Sequence, residues 1–284
     1  AVITGADSGA VTEDESTPLL TETGTLSVTD VDGADEAKFL AGNGTPSAGA
    51  LGSLTITEGG AWTYNVDNSK VQYLGEGETK VETFTVQSVD GTSHTVSVTI
   101  IGTNDVPTLS IDKGAVVSEE GLAGGIADTS GSSDTTDRVA ASGKITVGDV
   151  DSQDSLTISL NGPAGLTSGG ATVQWSWNAA TKVLTGYTGT PGGTDYKTVM
   201  DVKLTAPVGG SKGEWSYDVT LKAPVDHQNP DNEDVKDIKI GVTVSDGKTS
   251  TSSDLLISVE DDSPVAGDMD AVAVTRTNIP DTLT

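Results

Sequence analysis

Acidic and amide residues recur at fixed places in this sequence, and their types can do one kind of chemistry. Asn104 and Asp105 lie in the stretch Gly102-Thr-Asn-Asp-Val-Pro107, between a run that alternates as a strand (residues 95–101) and the start of another (residues 108–111). Proline removes a backbone donor and stops pairing there. Amide and carboxylate oxygens are hard donors, suited to a cation such as Ca²⁺, which takes about six to eight of them. The stretch therefore reads as a linker stiffened by a cation.

Other acids repeat in the same order on either side of it. Val11-Thr-Glu13 is echoed by Val117-Ser-Glu119. Leu26-Ser-Val-Thr-Asp30-Val-Asp32 is echoed by Ile145-Thr-Val-Gly-Asp149-Val-Asp151. Val89-Asp90-Gly91 is echoed by Ser245-Asp246-Gly247, and Asn104-Asp105-Val-Pro107 by Asp261-Asp262-Ser-Pro264. Ordered self-similarity is the signature of tandem units. The second copy is longer mainly between its Asp-Val-Asp turn and its Asp-Gly turn (151 to 246, against 32 to 90). Loops grow while the acids stay.

A joint between two such units draws ligands from three places: a glutamate near the end of one unit, the linker, and loops of the next. For the central joint these are Glu13, Asn104, Asp105, Asp149, Asp151 and Asp246, with Glu15 as a further candidate. By repetition a lower joint uses Glu119 or Glu120 with Asp261 and Asp262, completed by a neighbour outside this chain. Asp30, Asp32 and Asp90 face an upstream linker. The loop from Asp226 and His227 to Asp231 and Asp234 is a second oxygen-rich stretch, though its spacing does not fit an EF-hand. A solvated loop is the plain alternative, with His227 capping a strand end.

The rest of the chain must position these acids, and it reads as all-β. It has 284 residues, 35 of them glycine, with Thr, Ser and Val abundant and no helical Ala-Leu-Glu-Lys stretches. In the first region, strands are expected at 25–29, 52–57, 61–66, 79–88 and 95–101, with a hairpin about Glu58-Gly-Gly60. About seven short strands with close turns predict a sandwich of two sheets, with Phe39, Trp62, Tyr64 and Phe84 as its aromatic core. In the second region, strands are expected at 144–148, 172–177, 183–187, 199–204, 213–221, 235–245 and 255–259. The boundaries read as 1–106 and 107–264, with 265–284 a linker or the start of a following domain.

Charge and composition narrow the function classes. With 15 basic and 42 acidic residues the net charge is −27, which disfavours nucleic acid and anionic bilayers as partners. High acidity is also compatible with disorder, but the strong period-2 spacing of apolar residues argues against it. There is no cysteine, hence no disulfide framework and no thiolate metal site. No apolar run is long enough to span a bilayer as a helix, and no signal peptide is visible at the N-terminus. The chain starts without Met, which reads as a fragment of something longer.

Enzyme chemistry finds little footing. His94 and His227 are the only histidines, and no HExxH, GxSxG or phosphate loop is present. Composition alone leaves a glycosidase carboxylate pair open, but turn acids in this order are explained more simply by metal. Trp175 and Trp177 lie on one face of a strand. They are read as core or as cover for it, and the alternative is a carbohydrate- or peptide-binding second domain.

At these residues the chain resembles known families. Gly24-Thr-Leu-Ser-Val-Thr-Asp-Val-Asp-Gly33, Gly60-Ala-Trp-Thr-Tyr-Asn-Val-Asp-Asn68, residues 82–86, residues 90–96 and the 102–107 linker resemble the VCBS repeat of very large bacterial surface proteins. Gly213-Glu-Trp-Ser-Tyr217, Leu221-Lys-Ala-Pro-Val-Asp-His227, Val244-Ser-Asp-Gly247 and Val259-Glu-Asp-Asp-Ser-Pro264 resemble the repeat of about 143 residues in type I-secreted RTX adhesins. The resemblance implies two tandem cadherin/immunoglobulin-like β-sandwiches joined end to end with Ca²⁺ at the joints. It further implies a non-catalytic extender at the bacterial cell surface, serving adhesion and biofilm formation. Its partners would be neighbouring repeats of the same chain, and an adhesion ligand would be bound elsewhere. No nucleic acid and no membrane insertion are expected, and the segment is expected to be monomeric.

Overall fold

The computed structural model describes residues 1–33, 35–126, 136–228 and 234–262. Within them the first region forms β1 (Val2–Gly5), β2 (Ser8–Thr12), β3 (Leu19–Thr29), β4 (Gly42–Asn43), β5 (Thr45–Pro46), β6 (Ser53–Ile56), β7 (Ala61–Asp67), β8 (Thr79–Gln87) and β9 (Ser93–Ile101). They make two sheets, ordered β1-β3-β7-β6-β4 and β2-β9-β8-β5. Alternation places Trp62, Tyr64 and Val66 of β7 and Val96, Val98 and Ile100 of β9 between the sheets, with Phe39 and Phe84. All four aromatic residues expected in the core are buried there.

Glu82 takes one of the inward positions of β8. Its Oε1 accepts from Leu51 N (2.6 Å), and its Oε2 from Gly52 N (3.0 Å) and from the Tyr64 hydroxyl (2.9 Å). Three donors compensate the desolvation that an unpaired buried carboxylate would suffer.

The second region forms β10 (Thr108–Ile111), β11 (Ala115–Ser118), β12 (Ala140–Gly148), β13 (Thr157–Asn161), β14 (Thr167–Ser168), β15 (Ala171–Thr172), β16 (Gln174–Asn178), β17 (Val183–Thr188), β18 (Lys197–Thr205), β19 (Gly213–Leu221), β20 (Val235–Ser245) and β21 (Ser250–Glu260). Its main sheets run β10-β12-β19-β18-β17-β16 and β11-β21-β20-β13. Trp215, Tyr217, Val219 and Leu221 of β19 and Ile238, Ile240, Val242 and Val244 of β20 fill a separate core. The chain is all-β, built as tandem β-sandwiches.

Two details depart from the sequence expectation. The hairpin strand expected from 172 starts at Gln174, because Ala171 and Thr172 pair back onto Ser168 and Thr167 instead. The short strands β2 and β11 carry no clear alternation, yet each opens a sheet in the same way. β2 pairs parallel with β9, Val11 opposite Ile100, and β11 pairs parallel with β21, Val117 opposite Val259. Parallel pairing sends both strands of a pair out at the same end of the sheet. So Glu13, just past β2, lies beside the linker leaving β9, and Glu119 lies beside the chain leaving β21.

Candidate metal centre

That register brings Glu13 against the first linker residues. Glu13 is 1% exposed, its Oε2 accepts from Thr103 N (3.1 Å), and its Oε1 accepts from Gln72 Nε2 (2.8 Å). From the far side comes the turn after β12. The Asp105 backbone N–H donates to Asp151 Oδ2 (3.0 Å), and Asp149 Oδ1 accepts from Asp151 N (3.0 Å). The turn before β21 supplies Asp246, whose Oδ2 accepts from Asn104 Nδ2 (2.9 Å). Asn104 Nδ2 also donates to Asp105 O (2.8 Å) and Thr249 Oγ1 (3.2 Å). The six residues expected at the central joint are thus linked across it. Glu15 is exposed and lines a groove with Ser16 and Leu20 instead.

These bonds use one oxygen of several side chains and leave another orphaned. Asn104 Oδ1, Asp105 Oδ2, Asp149 Oδ2, Asp151 Oδ1 and Asp154 Oδ2 are buried with no hydrogen-bond partner in the protein. Buried polar atoms are normally satisfied. Every one of the five is an oxygen, and four belong to carboxylates. A hard divalent cation is the partner that such a donor set fits. Asp149, Asp154 and Asp246 offer oxygens that all lie within 4.8 Å of one another.

At the central joint, Asp154 is the clustered acid that the sequence expectation missed. The signal is in the sequence: Asp149-Val-Asp151-Ser-Gln-Asp154 matches Asp30-Val-Asp32-Gly-Ala-Asp35, which extends the Asp-Val-Asp motif by one acid. At the upstream end, Asp30 and Asp32 gather with Glu36, again with oxygens within 4.8 Å. Asp90 adjoins this group, since both it and Asp30 (3.0 Å) lie beside the backbone nitrogen of Ala1.

The carboxylates at the central joint suffer from one another's company. Burial pushes Glu13 from its usual 4.5 up to about 7; the Thr103 N–H opposes this, and Asp105, Asp14 and Asp151 add to it. Burial also raises Asp105, with help from Asp151, Asp14 and Asp149. Asp151, fully buried, is raised by burial against the pull of the Asp105 N–H, with Asp149 and Asp154 adding to the rise. Lys248 draws Asp151 the other way, and Lys212 Nζ donates to the backbone carbonyls of Asp149 (3.3 Å) and Asp151.

A raised acid holds its proton in the folded chain after the unfolded chain has lost it. For Glu13 that interval runs from 4.5 to about 7, so its stabilising share is complete below 4.5 and is lost as pH rises through about 7. Asp105 and Asp151 act in the same direction. Asp246 is lowered overall, so its contribution is lost only under stronger acid. The melting temperature of the chelator-treated chain is therefore expected to fall between about pH 5 and about pH 8. Calorimetry across that window checks the sign, and a rise would contradict it.

At the lower end, Glu119 is buried and its Oε1 accepts from Val225 N (2.7 Å). Asp261 is raised chiefly by burial. Asp262 Oδ2 accepts from Ile126 N (3.2 Å). His227 lies between Glu119 and Asp234; burial disfavours its charge, but hydrogen bonds to those two carboxylates outweigh that and raise its pKa. Asp226 is tied to Gly170 N (2.9 Å). Asp231, Pro264 and residues 265–284 lie outside the described residues.

Trp175 packs its ring against Gly162 and Gly186, and its indole N–H donates to Pro163 O (3.0 Å). Both Trp175 and Trp177 are half-buried against the second core. His94 sits in β9 with Nε2 3.2 Å from Asp7 Oδ2. Among the described residues no helix is long and apolar enough to cross a membrane.

Residues 1–102 match the bacterial cadherin-like domain. No curated protein sequence matches the chain. Among solved structures it is similar to the extracellular cadherin domains 1–5 of protocadherin gamma B2, at 12% identity and a TM-score of 0.43, covering 90% of this chain and 38% of that one. It is similar to human mucin-like protocadherin EC1-2 at 13% identity and a TM-score of 0.39, covering 92% and 98%. It is also similar to CfaE, the adhesive subunit of the CFA/I fimbria of enterotoxigenic Escherichia coli, at 12% identity and a TM-score of 0.34, covering 89% and 82%. The chain spans less than half of the gamma B2 structure. The fold reading rests on the sheets themselves and on the cadherin-like match of the first unit.

Proposed function

We propose that this chain is an extender segment of a large bacterial surface adhesin, stiffened at its joints by Ca²⁺. The observation that carries the reading is the set of five buried, unpartnered oxygens on Asn104, Asp105, Asp149, Asp151 and Asp154. They come from the linker and from the following unit, with Glu13 of the preceding unit alongside. Bound Ca²⁺ would neutralise these carboxylates and supply the missing partner. The chain's own residues do the positioning. Glu13 fixes the linker through the Thr103 N–H, Asp151 fixes it through the Asp105 N–H, and Asp246 orients the Asn104 amide. The Ser152 N–H donates to Tyr73 O (3.0 Å), a direct bond between the units.

The role is mechanical rather than catalytic: ordered joints hold the units in line and project a ligand-binding tip carried elsewhere. The resemblances of both units to repeats of RTX adhesins support export by a type I system, an extracellular location, and service in adhesion and biofilm formation. A chain of such repeats needs only its own neighbours as partners and would act as a monomer. Thermal melting tests the reading. Ca²⁺ at about 100 times its dissociation constant adds about 2.7 kcal/mol to a folded state that alone binds it. The melting temperature in millimolar Ca²⁺ is expected to exceed that in EGTA by several degrees, and equal values would overturn the calcium reading.

A further inference from the structure

The lower end of the second unit differs in one respect from the central joint: an imidazole enters its acid cluster. Glu119 follows β11, Asp261 follows β21, and His227 comes from the loop between β19 and β20. Their ligand atoms all lie within 4.8 Å of one another. The His227 side chain is only 4% exposed, and that of Glu119 5%. His227 Nδ1 is bound to Asp234 Oδ1, at the entry to β20, and its Nε2 faces Glu119 Oε1 at 3.3 Å.

Asp234 decides which nitrogen a metal would meet. A carboxylate on Nδ1 holds the proton there, so Nε2 is the nitrogen that a metal would take, on the side of Glu119. Without metal a proton on Nε2 fills that gap, and a metal ion held between the same two atoms would displace it. The separation suits a metal: ligands about 2.0–2.1 Å from a tetrahedral centre stand about 3.3 Å apart. Glu119 Oε1 also accepts from Val225 N, which fixes the carboxylate and leaves it a second lone pair. Imidazole nitrogen with carboxylates is a donor set for zinc-like first-row metals, whereas Ca²⁺ sites are built from oxygen.

We propose that Glu119, His227 and Asp261 form a zinc-class metal site, with Asp234 as the positioning residue behind the imidazole. The fourth position stays open to water or to a group from the unit that follows. The site is separate from the central joint, so it stands or falls independently of the calcium reading there.

The test uses the full chain, stripped with chelator and returned to millimolar Ca²⁺. Titration calorimetry with Zn²⁺ is expected to show one equivalent bound despite the Ca²⁺. Co²⁺ in its place is expected to give the visible absorption of a four-coordinate site. Asp234→Asn is expected to weaken Zn²⁺ binding about 10–100-fold, and His227→Gln at least as much. Asp151→Asn, which alters only the central joint, is expected to leave Zn²⁺ binding unchanged. Absence of Zn²⁺ binding in Ca²⁺, or equal Zn²⁺ affinity in wild type and His227→Gln, would overturn the proposal. So would a Co²⁺ complex with no visible band, the result if a protonated imidazole alone bridges the carboxylates.

Discussion

Asp151→Asn is expected to weaken Ca²⁺ binding about 10–100-fold while making the Ca²⁺-free chain more stable. Asp151 is fully buried, with Oδ2 accepting the Asp105 N–H and Oδ1 without a partner. Burial and the neighbouring Asp149 and Asp154 already push it toward its neutral form. An asparagine keeps an oxygen for the Asp105 N–H and turns a donor toward the orphaned carboxylates. It thereby relieves repulsion when no cation is present and removes a charge when one is. A tenfold loss of affinity corresponds to about 1.4 kcal/mol, well within the range of a calorimetric titration. The opposed signs are the diagnostic: a residue serving structure alone would lower stability with and without Ca²⁺. Unchanged Ca²⁺ affinity in the variant would remove Asp151 from the site.

Gly102→Ala is expected to cost about 1–3 kcal/mol and to degrade Ca²⁺ binding at a distance. Gly102 is buried where β9 gives way to the linker, and its N–H donates to Glu78 O (3.0 Å). A Cβ there would stand 2.3 Å from Leu74 O and 2.5 Å from Gly75 O. Both are backbone atoms, so the linker itself must shift. Thr103 would move off Glu13, and Asn104 and Asp105 would lose their register with Asp246 and Asp151. Gly59→Ala is the matched control, because the added carbon meets nothing closer than 4.0 Å. Denaturant unfolding and Ca²⁺ titration of the two variants separate the outcomes. If both variants bind Ca²⁺ like the wild type, the linker does not need its close approach to Leu74 and Gly75.

Most of the fold was legible because its strands bury one face. Period-2 alternation in residues 61–66, 95–101, 213–221 and 235–245 reports a local property, and the strands found there are β7, β9, β19 and β20. The strands that escaped notice, β1, β2 and β11 among them, are short and owe their existence to partners far along the chain. Ser8-Gly-Ala-Val-Thr12 becomes a strand because it pairs with Ser97–Ile101. No window around residue 10 contains that information.

The same division runs through the candidate site. Asn104, Asp105, Asp149, Asp151 and Asp246 could be named together because two copies of one plan repeat in order. Asp154 could have been named too, since Asp-Val-Asp-x-x-Asp occurs in both copies. Glu36 and the His227–Glu119 contact lacked any such pointer. The latter joins residues 108 positions apart, through the loop between β19 and β20. What the chain brings together only by folding was invisible until the sheets were in place.

The central claim is that Ca²⁺ holds the two units in line. Small-angle scattering of the chain in millimolar Ca²⁺ and in EGTA tests it most directly. The account predicts a longer maximum dimension and a narrower spread of conformations in Ca²⁺, and a shorter, broader distribution once it is removed. Superimposable curves in the two conditions would contradict it.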